Sequence, residues 1–402
     1  MNDNLCAESG YVSLNKAGET LCGDRVEIVG DSDNLVLVMA DGLGSGVKAA
    51  ILSTLTAKIL GTMIAGGMPV DECVDTMVRT LPVCRERGIA YSTFTVIHAT
   101  RERQVRLIQF DNPEVIVLRA GIPWAYPSTQ REVSGRKILE SRFEAREGDV
   151  YLALSDGATY AGAGRERNYG WQRENIVEYA RGLYKPTLSA KAYATAIADA
   201  CMSLYGGSPG DDTTAAAVRL RARRAVTVAF GPPSSKAEDT AMMNLFFGKG
   251  GMKVVSGGTT AAIAARYLCA PLIPSDGYED PEVPPISRLE GVDLVTEGVL
   301  TVTKALSYLE CALRGEEIAP DWYSRRDGAT LLARALIDEA TDVNFLVGRA
   351  VNPANGPESP ALQRAGVLLE ARGVSASLKA RLVQSMAACL EKMGKRVKVS
   401  YF

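Results

Sequence analysis

Carboxylates recur in this chain where apolar runs begin or stop. Leu35-Val36-Leu37-Val38-Met39-Ala40 ends on Asp41-Gly42-Leu43-Gly44-Ser45-Gly46, and Tyr151-Leu152-Ala153-Leu154 ends on Ser155-Asp156-Gly157. Asp211-Asp212-Thr213-Thr214 opens the apolar Ala215-Ala216-Ala217-Val218, and Cys22-Gly23-Asp24 precedes a further strand-like run. A buried carboxylate is costly unless donors or a cation compensate it. Taken singly, each Asp-Gly pair also reads as a capped tight turn. Taken together, acids at the ends of strands far apart in sequence form an oxygen-only donor set suited to Mg²⁺ or Mn²⁺. A pair of such ions activates water for attack on phosphorus. The single histidine, His98, lies within a strand-like run, remote from the strand ends that carry the acids, and is expected to be structural. Phosphate chemistry here would therefore lean on metal-activated water and not on an imidazole.

The elements that must hold these acids alternate in type. The apolar periodicity from Val47 to about Gly61 predicts a helix, and Met68-Pro69-Val70-Asp71 opens a second that runs to about Leu81. Strand-like runs follow at Phe94 to Ala99, Val105 to Phe110 and Val115 to Leu118, separated by short polar turns that imply antiparallel pairing. Helical segments near Gln172 to Leu183 and Ser189 to Leu204 separate the second Asp-Gly block from the last acidic block.

Gly23-Asp24, Met39-Ala40-Asp41-Gly42-Leu43-Gly44-Ser45-Gly46, Leu154-Ser155-Asp156-Gly157 and Asp211-Asp212-Thr213-Thr214, in that order, resemble the signature blocks of the metal-dependent (type 2C-like) serine/threonine phosphatases. The branch typified by the sporulation stage II protein E phosphatase domain is the nearest in pattern, and Tyr91-Ser92-Thr93-Phe94-Thr95 resembles it too. The resemblance spans roughly residues 8 to 222. It implies an antiparallel β-sandwich flanked by helices and two Mn²⁺ or Mg²⁺ ions. It also implies that Asp24, Asp41 and the Gly42 carbonyl serve one ion and that Asp41, Asp156 and Asp211 serve the other. Asp212 stands where the family often has Asn or Asp and is included with them. The arginine that binds substrate phosphate in eukaryotic members has no clear counterpart; Arg25 is adjacent to Asp24, but strand alternation directs it to the opposite face.

At 402 residues two domains are expected, and 47% apolar with 23% charged residues is an ordinary globular composition. A net charge of -2 offers no electrostatic argument for nucleic acid or an anionic membrane. No apolar run of membrane-spanning length and no basic leader is apparent, so the cytoplasm is the expected location. The eight cysteines are scattered without a C-x-x-C pair, which argues against a zinc site or a disulfide framework. Cys22, close to Asp24, retains a case for redox sensitivity.

The basic run Arg221-Ala222-Arg223-Arg224 reads as a solvated linker between domains 1–222 and 225–402. Beyond it, strands at Ala225 to Phe230, Met252 to Val255, Leu294-Val295, Val343 to Val347 and Val397 to Phe402 alternate with helices at Ser235 to Phe247, Ala261 to Cys269, Val299 to Leu313 and Asp327 to Glu339. Two further helices are expected before the last strand. This predicts an α/β domain with a mainly parallel sheet. Ser256-Gly257-Gly258-Thr259-Thr260 joins a strand to a helix and reads either as a tight turn with a Thr N-cap or as an anion cradle. Arg349 and Asn352, beyond another strand, would reach the same edge, with Asp293, Thr296 and Glu297 beside it. Gly257, Gly258, Thr259, Thr260, Arg349 and Asn352 are therefore candidates for binding a small anionic ligand.

The expectation is a metal-dependent phosphatase acting on phosphoserine or phosphothreonine of a regulatory protein, by analogy an anti-sigma-factor antagonist, with a C-terminal regulatory domain. The alternatives are a non-catalytic phosphoprotein-binding module and a small-molecule phosphohydrolase.

Overall fold

The apolar run ending at Asp41 forms a strand buried on both faces. In the computed structural model, which describes residues 5–81, 92–164, 169–275, 283–314, 318, 321–322, 324–350 and 374–402, the chain divides into two compact units, Met1–Ala222 and Arg223–Phe402.

The first unit holds two antiparallel sheets. The six-stranded sheet contains β2 (Asp24–Gly30), β3 (Leu35–Gly42), β4 (Ser92–Ala99), β5 (Gln104–Phe110), β8 (Thr129–Val133) and β9 (Arg136–Glu144), in the order β2-β3-β4-β5-β9-β8. The five-stranded sheet contains β1 (Leu5–Leu14), β6 (Ile116–Arg119), β7 (Ile122–Pro123), β10 (Val150–Leu154) and β11 (Thr213–Ala222), in the order β1-β11-β10-β6-β7. Alternation sorts the side chains: Leu35, Leu37 and Met39 of β3 join Val26, Tyr151, Ala216 and Val218 in the core between the sheets. Val36, Val38 and Ala40 face the other way, onto helices α1 (Gly46–Ala65) and α2 (Val70–Thr80). Helices α4 (Arg173–Leu183) and α5 (Ala190–Leu204) cover the outer face of the other sheet, and a single turn, α3 (Asp156–Thr159), follows β10.

Helix α1 is long and apolar enough to cross a bilayer by length and composition, contrary to the expectation from the sequence. Its buried face, including Ala49, Ala57, Leu60 and Ile64, packs within this fold. The ten-residue pairing of β1 with β11 and the hairpin β8–β9 were not anticipated from the sequence.

The second unit carries one mixed sheet built from β12 (Ala225–Phe230), β13 (Met252–Ser256), β14 (Ile273–Pro274), β15 (Ser287–Leu289), β16 (Val292–Thr296), β17 (Asp342–Val347) and β18 (Arg396–Tyr401). Its order is β14-β15-β16-β13-β12-β17-β18, parallel from β16 to β18, with β14 and β15 antiparallel at one edge. Helices α6 (Asp239–Gly248) and α7 (Gly258–Leu268) pack on one face. Helices α8 (Val299–Arg314), α9 (Gly328–Arg334) and α10 (Val374–Lys392) pack on the other. The stretch expected to hold two helices before the last strand lies partly outside the described residues.

The basic run is not a solvated linker. Arg221 belongs to β11 and pairs through Nε with Glu8 Oε2 at 2.9 Å, while Arg223 meets both Asp342 oxygens, at 3.0 and 3.1 Å. Both arginines are largely covered because each neutralises an acid of its own unit.

Candidate active site

The direction of the strands gathers the acids. Asp24 opens β2 and Asp41 lies near the end of β3, and the two are register partners. Asp24 shares the parity of Val26, and Asp41 that of Leu37 and Met39, so both carboxylates face the opposite sheet. There, β10 ends and β11 begins side by side, with Ser155 N donating to Thr214 O at 3.0 Å and Thr214 N to Ser155 Oγ at 2.8 Å. Asp156 starts the short helix after β10, and Asp211-Asp212 immediately precedes β11.

The glycines of these blocks are there for close approach. A Cβ on Gly157 would sit 2.1 Å from the Asp212 carbonyl oxygen, and one on Gly42 would sit 2.1 Å from that of Ala49 in α1. A Cβ on Gly23 would meet Asp212 Oδ2 at 2.8 Å. Each Asp-Gly pair thus lets a second segment reach the acid beside it. Gly42 has this packing role whether or not its carbonyl binds an ion.

Mutual repulsion marks the cluster. Burial, with the charges of Asp212 and Asp156, pushes Asp24 up to about 7, although the Ser155 and Thr214 hydroxyls favour its charged form. Burial, with Asp24, Asp156, Asp211 and Asp212 around it, pushes Asp41 up to about 8. Asp156 is raised by burial and by Asp211. Asp24 Oδ2 and Asp212 Oδ2 are buried with no hydrogen-bond partner. Uncompensated, oxygen-only and like-charged, these residues fit a hard divalent cation. As the side chains stand, no three acidic, histidine or cysteine groups among the described residues converge on one metal position. Part of the reason is that Asp211 and Asp212 are engaged elsewhere. Lys16 Nζ lies 3.5 Å from Asp211 Oδ1, Lys16 N donates to Asp212 Oδ1 at 3.0 Å, and Asp212 N donates to Asp211 Oδ1 at 3.0 Å. Carboxylate rotamers adjust at far lower cost than a backbone that already brings five acids together, so the unpaired buried oxygens mark the site.

Lys16 escaped the sequence reading, and Ser155 and Thr214 were named in the acidic blocks without a role. Ser155 and Thr214 flank the acidic blocks, so adjacency was a usable signal; Lys16 sits in a polar loop with nothing in its spacing to single it out. Arg25 lies on the outer face, exposed, with Nη2 3.8 Å from Glu27 Oε2. His98 pairs with Val36, at the end of β3 away from Asp41, and its Nε2 is 2.8 Å from Asn34 Oδ1. Burial and Arg106 lower its pKa. The Cys22 thiol is pushed up to about 12 by burial and Asp24, a direction that favours its protonated form. Tyr91 lies outside the described residues.

The candidate anion site in the second unit is not assembled. Helix α7 begins at Gly258 with Gly257 as its cap at φ 112°, so Thr259 and Thr260 are inside the first turn and neither is the N-cap. The Glu297 carboxylate lies 3.5 Å from where a Gly258 Cβ would be, placing an anion at that helix start. Strand β12 separates β13 from β17, which sets the loop and Arg349 about 10 Å apart in backbone position. Arg349 turns further away: its guanidinium stands 5.1 Å over the Tyr401 ring of β18. Asn352 lies outside the described residues. Asp293 accepts from Lys253 N at 2.7 Å near the start of β16, the opposite end from Thr296 and Glu297.

Residues 31–221 match the sequence family described as Stage II sporulation protein E (SpoIIE). No protein of curated function matches the chain. Among solved structures, the chain is similar to the PP2C phosphatase domain, with a fragment of the regulatory domain, of SpoIIE from Bacillus subtilis. That likeness has 17% identity and a TM-score of 0.47, and it covers 55% of this chain and 64%, less than two thirds, of that one. The RsbU and RsbW domains of a Mycobacterium tuberculosis protein are similar at 18% identity and TM-score 0.47, over 60% of this chain and 69% of that one. The catalytic domain of the serine/threonine phosphatase PstP, solved with 2 manganese ions, is similar at 17% identity and TM-score 0.39, over 54% and 99%.

Proposed function

Because residues 31–221 match the stage II sporulation protein E family, we propose that the N-terminal domain is a metal-dependent phosphatase that hydrolyses phosphoserine or phosphothreonine on a regulatory protein. The observation that carries this reading is that Asp24, Asp41, Asp156, Asp211 and Asp212 lie at one end of the two sheets, near enough to act on one another's charge, with two buried oxygens unpaired. Asp24, Asp41 and the Gly42 carbonyl would hold one cation, and Asp41, Asp156 and Asp211 the other, with Asp212 held beside them by Lys16 N. Divalent cations, when bound, supply the activation of the attacking water and the neutralisation of phosphoryl charge. The chain's own part is to hold ionised oxygens in a half-buried site with fixed backbone. Ser155 and Thr214 favour the charged form of Asp24, and Ser92 Oγ donates to the Asp41 carbonyl at 2.8 Å. The second unit would serve a regulatory role.

A serine-phosphorylated peptide and p-nitrophenyl phosphate, assayed with Mn²⁺ and with EDTA, test the proposal. Turnover that requires the metal and disappears in Asp41→Asn supports it. Metal-independent turnover, or full activity in a folded Asp41→Asn protein, counts against it. Phosphopeptide binding without turnover in the metal-loaded protein would favour the non-catalytic alternative.

A further inference from the structure

The loop of residues 15–23, joining β1 to β2, is pinned on both flanks of the acidic site. On one flank Ala17 N donates to Pro209 O at 2.9 Å and Lys16 N to Asp212 Oδ1 at 3.0 Å. On the other, Ser45 Oγ, at the start of α1, donates to Glu19 Oε1 at 3.0 Å. The backbone of Lys16 is thereby fixed beside the cluster, and its side chain reaches the rim, where Nζ stands 3.5 Å from Asp211 Oδ1. Both side chains of that pair are partly open to solvent, at 39% and 46%. An ion pair this long between exposed groups is weak. The ammonium is therefore kept at the site without being locked to one partner.

A phosphoester approaching five carboxylates meets repulsion. Cations held by the acids would offset it, and phosphoryl oxygens facing solvent would still need a donor at the rim. Lys16 bears on this cluster, since its charge also acts on Asp156. Arg25, the arginine adjacent to Asp24, lies on the outer face beside Glu27. Resting on the phosphatase reading, we propose that Lys16 binds the phosphoryl group of the substrate, releasing Asp211 when the acids take up divalent cations. The exchange is one of ionic partners and breaks no covalent bond. A flexible stem with three donors suits such a change of partner better than a fork-shaped guanidinium.

The test compares wild type with Lys16→Ala, Lys16→Met and Lys16→Arg. Calorimetry measures the Mn²⁺ affinity of each protein and then the affinity of each Mn²⁺-loaded protein for inorganic phosphate; steady-state kinetics on a phosphopeptide follow. The proposal expects Lys16→Ala and Lys16→Met to weaken phosphate binding and raise KM about tenfold, the lower range for a charge-assisted contact, with kcat changed less and Lys16→Arg falling between wild type and those two variants. Mn²⁺ affinity should hold or tighten, because a competing cation has been removed from Asp211. If Lys16 only neutralises Asp211, Mn²⁺ binding tightens while phosphate affinity and KM stay unchanged, and that result overturns the proposal. Lys16→Met keeps the aliphatic stem and, like Lys16→Ala, the backbone N–H to Asp212, so a matched thermal melt separates a lost contact from a lost fold. Should wild type show no metal-dependent turnover, the phosphatase reading fails by itself, and the phosphate calorimetry still decides the role of Lys16.

Discussion

Asp24→Asn should stabilise the metal-free protein. Asp24 is 5% exposed, and burial with Asp212 and Asp156 nearby moves its pKa from 3.8 to about 7. The folded state thus binds the proton more tightly than the unfolded state does. Stability contributed by this group is present below pH 4 and is lost as pH rises through about 7. At pH 8, keeping Asp24 ionised costs about 4 kcal/mol, at about 1.4 kcal/mol per tenfold change in proton affinity. Asp24 and Asp41 act on each other, so part of that cost belongs to the pair and about 2 kcal/mol is a fair share for one substitution. For a unit of this size the shift in Tm is about 4–8 °C. The assay is thermal unfolding in EDTA at pH 5 and pH 8, repeated with Mn²⁺, following the transition that responds to the metal. The expected result is a higher Tm for Asp24→Asn at pH 8 in EDTA, a much smaller difference at pH 5, and a weaker response to Mn²⁺ than wild type. Destabilisation at pH 8 in EDTA, or an equal Mn²⁺ response in both proteins, would refute the reasoning.

Asp41→Asn should lower metal-dependent hydrolysis of p-nitrophenyl phosphate by roughly a hundredfold or more, with the circular dichroism spectrum retained. Gly157→Ala places a methyl 2.1 Å from the Asp212 carbonyl oxygen and should cost about 3 kcal/mol or more, read by urea unfolding; a neutral effect would remove the close-approach account of the Asp-Gly pairs. Arg223→Ala removes the guanidinium contacts at 3.0 and 3.1 Å from Asp342, leaving it the Thr341 hydroxyl at 2.6 Å, and should destabilise the second unit by about 1–3 kcal/mol, whereas a solvated linker residue would change nothing measurable. The chain cut after Ala222 should fold and keep metal-dependent hydrolysis of a generic phosphoester; aggregation or complete loss of activity would show that the two units share a core or a site.

Much of the first unit was legible before its structure. The run from Leu35 to Ala40 demands a strand covered on both faces because every side chain is apolar, and the structure covers it so. Asp24, Asp41, Asp156 and Asp211 stood out because a carboxylate at the end of an apolar strand is costly and must be compensated. In the second unit, strand-helix alternation announced a mainly parallel sheet, since each parallel neighbour needs a crossover.

What remained hidden depended on which segments meet. Strand β1 carries Glu8, Ser9 and Ser13 among its apolar residues and shows no clean alternation, so its pairing with β11 emerges only when the two strands come together. Glu8 and Arg221, 213 positions apart, turn an apparent linker into a paired strand end. The glycine-threonine loop and Arg349 share a sheet edge in sequence logic, yet β12 lies between their strands and Tyr401 holds the guanidinium on the far side. Lys16 acquires its position from Asp211 and Asp212, almost two hundred residues away. Local pattern reports what each segment must bury; the partner that satisfies it is set by chain topology, which brings together charges that no window of sequence contains.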